Sequence, residues 1–407
     1  MIIETADRTR SVNEYYFSVK NKEISRRDAD RKAMGLDPII KLGQGSPDGM
    51  PPLSAIEKLR ESSLLPDVHA YQSYVGIPEL RQAFADWYAR FYGVMLNSAD
   101  EIQPLVGSKE GILLTSLTFV NKGDKVLIPD PGYPTYASAS KMVEAEILTY
   151  DLKADNNWWP DFDRLEQMDL DGVKIMWTNY PNMPTGAPAS KELYQELVDF
   201  AQRHKILVVN DNPYSFIQNE HPISILSIKG ARDYCIELNS LSKAHNMSGW
   251  RIGMIGGAAE YVQEVLKVKS QMDSGMFRPL QLAAVEALRQ GPEWFAELNA
   301  EYARRKKSAC EIFDTIGVEY DTNTQGLFLW GRIPDDNILL NKAQREGFNP
   351  SWSKGELVSE YILDKAGVFI TPGFIFGKNG RDYIRISLCA KVEMMQRACS
   401  KIKVIMA

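Results

Sequence analysis

Short apolar segments alternate with longer amphipathic segments over the central part of the chain, from about residue 53 to residue 290. The apolar segments are rich in β-branched side chains, as buried strands are, and the longer ones show the period of helices. Strands are predicted at 125–129, 173–177, 206–210, 234–238 and 252–255, and helices at 79–92, 109–120, 135–143, 188–204 and 276–290. Because strands that alternate with helices form a mostly parallel sheet covered on both faces, the pattern predicts an α/β fold.

The pattern changes after about residue 292. A long charged helix is predicted there, followed by a mixture of strands and helices without regular alternation, which indicates a smaller α+β domain over residues 293–407. Its helices are predicted at 293–316, at 355–366 and at the C-terminus, and its strands at 326–330, 368–370 and 383–387. Residues 1–40 are polar with helical spacing and lead into an extended segment at 39–42.

Composition and charge exclude several classes of function. The chain has 407 residues, which favours two domains, and a formal net charge of −6. That charge argues against nucleic acid and membrane partners, because phosphate groups bind to clustered Lys and Arg. Apolar runs are too short to span a bilayer, and the N-terminus lacks the order of a secretory signal. The four cysteines form no CxxC pair, which favours free thiols in the cytoplasm. The four histidines are scattered without an HExxH motif, so no metal site is expected.

Polar residues follow several of the predicted strands directly. They are Ser108, Tyr133, Asn182, Asp211 and Ser240. Because ligands of open α/β sheets bind at the carboxyl ends of the strands, we expect these residues to form one site.

Short motifs extend this cluster along most of the chain. They are Gly45–Asp48, Tyr71–Arg81, Gly107–Gly111, Asp130–Pro134, Pro181–Gly186, Asp211–Tyr214 and Ser240–Lys243, together with Arg251 and Arg385. In this order and near this spacing, from about residue 40 to 390, they resemble the class I/II aminotransferases of the fold-type-I family that binds pyridoxal 5'-phosphate (PLP). Each motif alone is weak, and nine in register are specific.

The resemblance implies a fold and a division into domains. The fold is a large domain with a mostly parallel seven-stranded sheet between helices, plus a smaller α+β domain. Residues 1–48 are implied to form an N-terminal segment that joins the small domain, residues 49–292 the large PLP-binding domain, and residues 293–407 the small C-terminal domain.

The resemblance also implies how PLP is held and used. Lys243 is the expected Schiff-base lysine and the general base that moves the substrate proton. Asp211 is expected to keep the ring nitrogen protonated, and Tyr214 to donate to the phenolic oxygen. Tyr133 is expected to stack on the ring.

The phosphate of PLP needs several donors and a positive charge. The resemblance assigns the backbone N–H groups of Ser108 and Lys109 at a helix start, with the side chain of Lys109 expected at the surface. Ser240, Ser242 and Arg251 add two hydroxyls and a guanidinium. Tyr71 of a partner subunit completes this group, which implies a homodimer.

The substrate is expected to bind through its α-carboxylate. Arg385 resembles the arginine that grips this group as a bidentate fork, and Gly45 lets the backbone approach it. A dicarboxylic substrate needs a second cation, and Arg26, Arg27 and Arg278 are candidates.

One position departs from the family pattern. The family carries Asn directly before Pro-Thr-Gly, where it donates to the phenolic oxygen of PLP. This chain has Met183 there, so that either Asn182 reaches the oxygen or Tyr214 serves alone.

The expected function is transfer of the amino group of a small L-amino acid, such as aspartate or alanine, to a 2-oxo acid. One alternative is a PLP-dependent C–S lyase of the same fold that performs β-elimination. Another is a PLP-binding regulator domain without enzymatic activity, which the short leading segment and the negative charge disfavour.

Overall fold

The computed structural model describes residues 2–407, which form thirteen strands, fifteen α-helices and several short 3₁₀ turns. The strands are β1 Ile40–Lys41, β2 Ile102–Leu105, β3 Lys125–Asp130, β4 Glu146–Asp151, β5 Val173–Thr178, β6 Leu207–Asp211, β7 Cys235–Ser240, β8 Gly253–Gly257, β9 Glu319–Tyr320, β10 Phe328–Arg332, β11 Val368–Phe369, β12 Thr371–Pro372 and β13 Tyr383–Ser387. The helices are α1 Asp7–Arg10, α2 Tyr16–Ala33, α3 Leu53–Ser62, α4 Pro78–Tyr92, α5 Ser108–Phe119, α6 Pro134–Met142, α7 Phe162–Glu166, α8 Lys191–His204, α9 Leu241–Ala244, α10 Ala259–Lys269, α11 Arg278–Leu288, α12 Pro292–Ile316, α13 Ile338–Arg345, α14 Lys354–Ala366 and α15 Val392–Met406.

A seven-stranded sheet forms the centre of the chain, in the order β2-β8-β7-β6-β5-β3-β4. Strands β3 to β7 pair in parallel, and β8 runs antiparallel to both of its neighbours. The predicted α/β fold with a mostly parallel seven-stranded sheet is confirmed.

Both faces of this sheet are buried at its central strands, which explains why these strands are mostly apolar in sequence. Leu127 lies in register with Met176 on β5, which in turn faces Val208 on β6. This row belongs to one apolar core, whereas Val126 and Ile128, on either side of Leu127, belong to the core on the opposite face. Since side chains alternate along a strand, helices must cover both faces.

A second, antiparallel sheet of four strands, in the order β12-β13-β10-β9, forms with α13 to α15 a separate apolar core. Helix α12 joins the two parts. Phe295 near its start packs into a core of the seven-stranded sheet, while Ile312 and Phe313 pack beside the four-stranded sheet. The boundaries predicted at residues 48/49 and 292/293 stay a prediction.

The N-terminal helix α2 packs on the same side as the four-stranded sheet. Its buried Lys20 forms an ion pair with Glu360 of α14, and β1 pairs in parallel with β11. This attachment carries Tyr15 and Phe17, at the start of α2, to the junction of the two parts.

Two strands of the large sheet were not identified individually from the sequence. Strand β2 contains Pro104, which is unfavourable in a strand interior but is tolerated here because β2 is an edge strand. Strand β4 is the other edge and is only partly buried, so it lacks a continuous apolar run. The helix predicted at 188–204 begins at Lys191, because the side chain of Ser190 caps it by accepting from the N–H of Leu193 at 3.1 Å.

Within residues 2–407, no helix combines the length and apolar character that crossing a membrane requires. The same residues contain no group of three or more His, Cys, Asp or Glu side chains that could hold a metal ion. The four cysteines are free thiols, and the cytoplasmic location expected from them stays a prediction.

Candidate active site

A cavity of about 380 Å³ lies at the carboxyl ends of the central strands, where the two sheets and the N-terminal segment meet. Three groups of residues line it. The large sheet and its loops contribute Ser108, Lys109, Tyr133, Tyr136, Asn179, Met183, Asp211, Tyr214, Ser240, Ser242, Lys243 and Arg251. The N-terminal segment contributes Tyr15, Phe17 and Gly45, and the four-stranded sheet and its loops contribute Phe328, Phe376 and Arg385.

Lys243 lies on the short helix α9, which directly follows the carboxyl end of strand β7. Its Nζ donates a hydrogen bond to the carbonyl oxygen of Gly45 at 2.6 Å, a neutral acceptor. Burial lowers the pKa of this lysine, and Arg251 and Arg385 lower it further. A lysine that gives up its proton more readily is suited to act as a nucleophile and a base.

Asp211 ends β6 and is buried beneath the cavity. Its Oδ2 accepts a hydrogen bond from the Tyr136 hydroxyl at 3.1 Å, while its Oδ1 has no partner among residues 2–407. Burial raises the pKa of this carboxyl to about 7, against the lowering effect of the Tyr136 and Ser108 hydroxyls. A buried carboxylate oxygen without a partner needs a cation or a donor, and a protonated ring nitrogen supplies both.

One end of the cavity gathers hydrogen-bond donors. Ser108 is the first residue of the twelve-residue helix α5, where backbone N–H groups are unpaired. The Ser240 hydroxyl donates to Ser242 Oγ at 2.8 Å, and Arg251 Nη1 approaches the same oxygen at 3.4 Å. A Cβ on Gly107 would lie 2.2 Å from Arg251 Nη2, so that only glycine lets the guanidinium cross the helix start. This arrangement fits a phosphate group.

Arg385 lies on β13 and is buried without a carboxylate partner among residues 2–407. Its Nη2 donates to the Gly43 carbonyl at 2.8 Å, and its Nη1 lies 3.2 Å from Met183 Sδ. The guanidinium carbon lies 3.9 Å from the ring centroid of Phe328 and 4.5 Å from that of Phe376. Burial lowers its pKa to about 10, which leaves it charged at neutral pH. A desolvated guanidinium held by aromatic faces fits a substrate carboxylate.

Gly45 lies between Lys243 and Phe328, because its carbonyl accepts from Lys243 and its Cα approaches the ring of Phe328. A Cβ built on Gly45 would lie 2.4 Å from Phe328 Cζ. The close approach of backbone and ring therefore requires glycine at this position. Tyr133 and Tyr214 also line the cavity.

Two of the predicted site residues lie outside the cavity. Asn182 is buried in the turn between β5 and α8, where its Nδ2 donates to Asn179 O at 3.1 Å and its Oδ1 accepts from the Thr185 hydroxyl at 2.7 Å. Both polar ends of its amide are thus used within the turn. Tyr71 is 91% exposed and does not line the cavity of its own chain.

Met183, not Asn182, faces the cavity next to Arg385. The nearby Asn179 also lines the cavity, but one N–H of its amide already donates to Asp211 O at 2.5 Å, and its Oδ1 accepts from the N–H of Met183 at 2.8 Å. Tyr214 is the donor to the phenolic oxygen that the resemblance assigns, and it lines the cavity.

Substituting Met183 with asparagine should lower the pKa of the nitrogen that joins Lys243 to PLP by about one unit, as measured by an absorbance titration of the PLP-loaded protein. The proton on this nitrogen is shared with the phenolic oxygen of PLP. An N–H donor to that oxygen makes it less basic, so that the proton is lost at a lower pH. Met183→Leu is the matched control, since it has similar size and no donor, and it should leave that pKa unchanged. Equal pKa values in the wild type and Met183→Asn would contradict this assignment of Met183.

The candidates for a second cation do not line the cavity of their own chain. Arg278 pairs with Asp67 at 2.7 Å, Arg27 pairs with Glu23 and Glu360, and Arg26 is exposed. The side chain of Lys109 is exposed, as expected. It also lines the cavity, and its Nζ lies 4.6 Å from the ring centroid of Tyr15.

Several cavity residues had not been singled out from the sequence. Tyr136 supports Asp211 and follows Tyr133 by one helical turn, which was a usable signal. Tyr15 and Phe17 belong to an aromatic run in an otherwise polar segment, which could have indicated a buried contact. Phe328 and Phe376 carry no signal that separates them from core aromatics.

Residues 37–402 match the family described as Aminotransferase class I and II. The chain belongs to this family. The aminotransferase is 39% identical to an LL-diaminopimelate aminotransferase of Aquifex aeolicus, over 99% of each chain. It is 37% identical to an enzyme of the same name from Dehalococcoides mccartyi, over 93% of this chain and 94% of the relative.

Solved structures agree with this membership. Substrate-bound BacF from Bacillus subtilis superposes on the aminotransferase with a TM-score of 0.88 at 31% identity, covering 99% of this chain and 98% of the other. An aminotransferase from Staphylococcus aureus gives a TM-score of 0.85 at 26% identity, over 99% of both chains. A Thermus thermophilus aspartate aminotransferase mutant, at 21% identity and a TM-score of 0.86, shows the shared fold.

The aminotransferase is therefore an enzyme that depends on PLP, as its family does. The cavity fits this cofactor at three independent points. They are the unpartnered Oδ1 of Asp211, the amine of Lys243 with its lowered pKa, and the donors around Ser108 and Arg251.

Proposed function

We propose that this aminotransferase takes the amino group from LL-diaminopimelate and transfers it to a 2-oxo acid. The observation that carries the proposal is the similarity along the whole chain to relatives of that name, at 35–39% identity. This substrate is longer than the aspartate or alanine expected from the sequence.

The cavity supports a long substrate with a charged far end. Within one chain, Arg251 and Arg385 are the arginines that line the cavity, so the second carboxylate of aspartate would find no third arginine of the same chain. Lys109 is the cation left over once cofactor and α-carboxylate are bound, and burial and Arg251 lower its pKa. It is placed to bind a carboxylate at the far end of a substrate.

The residues divide into those that hold the cofactor and those that hold the substrate. Lys243 would bind the aldehyde carbon of PLP, Asp211 the ring nitrogen, Tyr214 the phenolic oxygen and Tyr133 the ring face. Ser108, the N–H of Lys109, Ser240, Ser242 and Arg251 would bind the phosphate. When bound, PLP supplies an electron-poor ring that accepts the electron pair of the substrate α-carbon.

The remaining chemistry belongs to the side chains. Arg385 binds the α-carboxylate and so orients the α-carbon, while Phe328 and Phe376 exclude water from the guanidinium. Lys243 Nζ would take the proton from the substrate α-carbon as a general base and hold it for the return transfer. Gly45 O holds the amine on the substrate side of the cavity through the 2.6 Å hydrogen bond. Tyr136 keeps Asp211 in place.

A panel of amino donors tests the substrate. The purified, PLP-loaded enzyme is assayed with LL-diaminopimelate, aspartate, alanine and an aromatic amino acid, each with several 2-oxo acids, and the products are identified by mass spectrometry. We expect the highest kcat/KM with LL-diaminopimelate. A higher value with any other donor would reject this substrate. Release of ammonia without amination of the added 2-oxo acid would indicate a lyase reaction rather than amino-group transfer.

We also propose that two chains share each site, with Tyr71 of the partner subunit reaching the phosphate. The support is the set of exposed apolar side chains in the segment 50–74, which includes Met50, Leu53, Leu64, Tyr71 and Tyr74. Large exposed apolar patches mark interaction surfaces.

Coexpression of two inactive variants tests this shared site. Lys243→Ala and Tyr71→Ala each damage every site of their own homodimer, but a mixed dimer contains one site with both native residues. We expect coexpression to restore roughly a quarter of the wild-type activity, because half of the dimers are mixed and each has one intact site. Mixing the same variants after separate purification, without subunit exchange, is the control. No recovery on coexpression would contradict the shared site.

A further inference from the structure

Asp130 forms a bridge between the large sheet and the loop beside the small sheet, and it has no role in the binding of cofactor or substrate proposed above. It is the last residue of β3, it is 8% exposed, and it does not line the cavity. Its Oδ2 accepts from the backbone N–H of Lys378 at 3.0 Å, and its Oδ1 accepts from that of Asn379 at 2.9 Å. Both donors belong to the loop before β13, so one carboxylate joins the large sheet to the loop beside the small one.

The loop is shaped to receive this carboxylate. Gly377 has a φ of +136°, and a Cβ there would lie 2.2 Å from Asp130 Oδ1. The side chain of Asn379 returns a hydrogen bond to Asp130 O at 3.0 Å, and the N–H of Gly132 donates to Phe376 O at 2.7 Å. Several directional bonds thus fix the loop in one position, and those to the carboxylate are charge-assisted.

The loop that Asp130 holds also carries part of the substrate site. Phe376 lines the cavity, and its ring centroid lies 4.5 Å from the guanidinium carbon of Arg385. On the other side of the bridge, Tyr133 follows Asp130 by three residues and lines the same cavity. Asp130 therefore connects the aromatic ring beside the cofactor site with the aromatic ring beside the carboxylate site.

We propose that Asp130 is a positioning residue for binding of the amino donor, acting through the loop 376–379. By holding this loop against the end of β3, it keeps Phe376 on the guanidinium of Arg385 and keeps water out of the carboxylate site. The proposal rests on the proposed role of Arg385, but it does not depend on which α-amino acid is the donor, since all carry the same carboxylate.

Two variants from opposite sides of the bridge test this role. Asp130→Asn replaces one acceptor oxygen by an N–H₂ group that faces a backbone N–H, and Gly377→Ala places a methyl group where the carboxylate lies. Asp151→Asn is the matched control. Asp151 is the neighbour of Asp130 in the register of β4, and its Oδ1 accepts from the side chain of Asn379, which an asparagine oxygen can replace. Its Oδ2 pairs with Arg164, an ion pair at the surface whose loss should cost little.

Two readouts are measured on the PLP-loaded full chain. Hydrogen–deuterium exchange of the segment 373–381 without substrate reports whether the loop is released. Steady-state kinetics with the best amino donor of the wild type report KM and kcat. In both variants we expect faster exchange and a KM raised about tenfold, with a much smaller change in kcat, whereas Asp151→Asn matches the wild type.

Other outcomes overturn the proposal. Faster exchange with an unchanged KM would show that the bridge holds the loop without affecting the substrate. Unchanged exchange in both variants would show that it does not hold the loop. An equal KM rise in Asp151→Asn would remove the special role of Asp130. If LL-diaminopimelate is not the substrate, the wild type will show a higher kcat/KM with another amino donor. The variants can then be compared with the wild type on that donor, and the test of Asp130 is unaffected.

Discussion

Replacing Lys243 with alanine should lower kcat at least about 10³-fold, the largest effect expected of any single substitution. Alanine can neither bind the aldehyde carbon of PLP nor move the proton at the substrate α-carbon. Steady-state kinetics with the best amino donor and a saturating 2-oxo acid measure the loss.

The folded state should survive this substitution. Lys243 contacts the fold through one hydrogen bond, to Gly45 O, and removing a cation whose pKa is lowered by burial relieves a desolvation cost. The melting temperature of the cofactor-free protein should therefore stay at or above that of the wild type. PLP should still bind, now reversibly, through Asp211 and Arg251. Residual activity within tenfold of the wild type would contradict the role of Lys243.

Replacing Arg385 with lysine should lower kcat/KM about 100-fold, mainly through KM, although the positive charge is kept. A lysine ammonium is a point charge and cannot offer the planar pair of N–H donors that a carboxylate accepts. It also cannot stack between Phe328 and Phe376, which hold the guanidinium of Arg385 in its plane. The comparison of kcat/KM for wild type and Arg385→Lys, with one amino acid, measures this loss.

A primary amine without a carboxylate provides the control for Arg385. If the guanidinium acts on the carboxylate, the wild type and Arg385→Lys should convert this amine at equal, low rates. A 100-fold loss with the amine as well would mean that lysine disturbs the cavity in general. Arg385 would then have a structural role, and the carboxylate would bind elsewhere.

Much of the fold could be predicted from the sequence, because the central strands are buried on both faces. Burial on both faces produces the continuous apolar runs of β5 and β6, which stand out between amphipathic helices. The edge strands β2 and β4 were not predicted, because an edge strand needs fewer apolar residues and tolerates proline. Helix boundaries shifted by one to three residues where a cap such as Ser190 decides them.

The candidate site divides in a similar way. Lys243, Asp211 and Arg251 lie in motifs that follow strands, so their gathering at one sheet edge follows from the topology. Tyr15 and Phe17 lie more than two hundred residues from Lys243 in sequence, and only the packing of α2 on α14 brings them to the cavity. No local pattern predicts such a contact.

The direction of single side chains was the hardest part to predict. Asn182 stands one position from the family asparagine and was a reasonable substitute, but its amide is used within its own turn. Lys109 is exposed on α5, as expected, but its ammonium also lies 4.6 Å from the ring centroid of Tyr15, a contact that the sequence did not indicate. In both cases the backbone position was correct, and the hydrogen bonds or packing of neighbouring residues decided where the side chain lies.

The central claim, that Lys243 holds PLP, is tested most directly by reducing the PLP-loaded protein with borohydride and mapping the modified peptide. We predict one pyridoxyl-modified residue per chain, at Lys243, and no modification in Lys243→Ala. A modification at Lys109 or another lysine, or none in the wild type, would contradict the account.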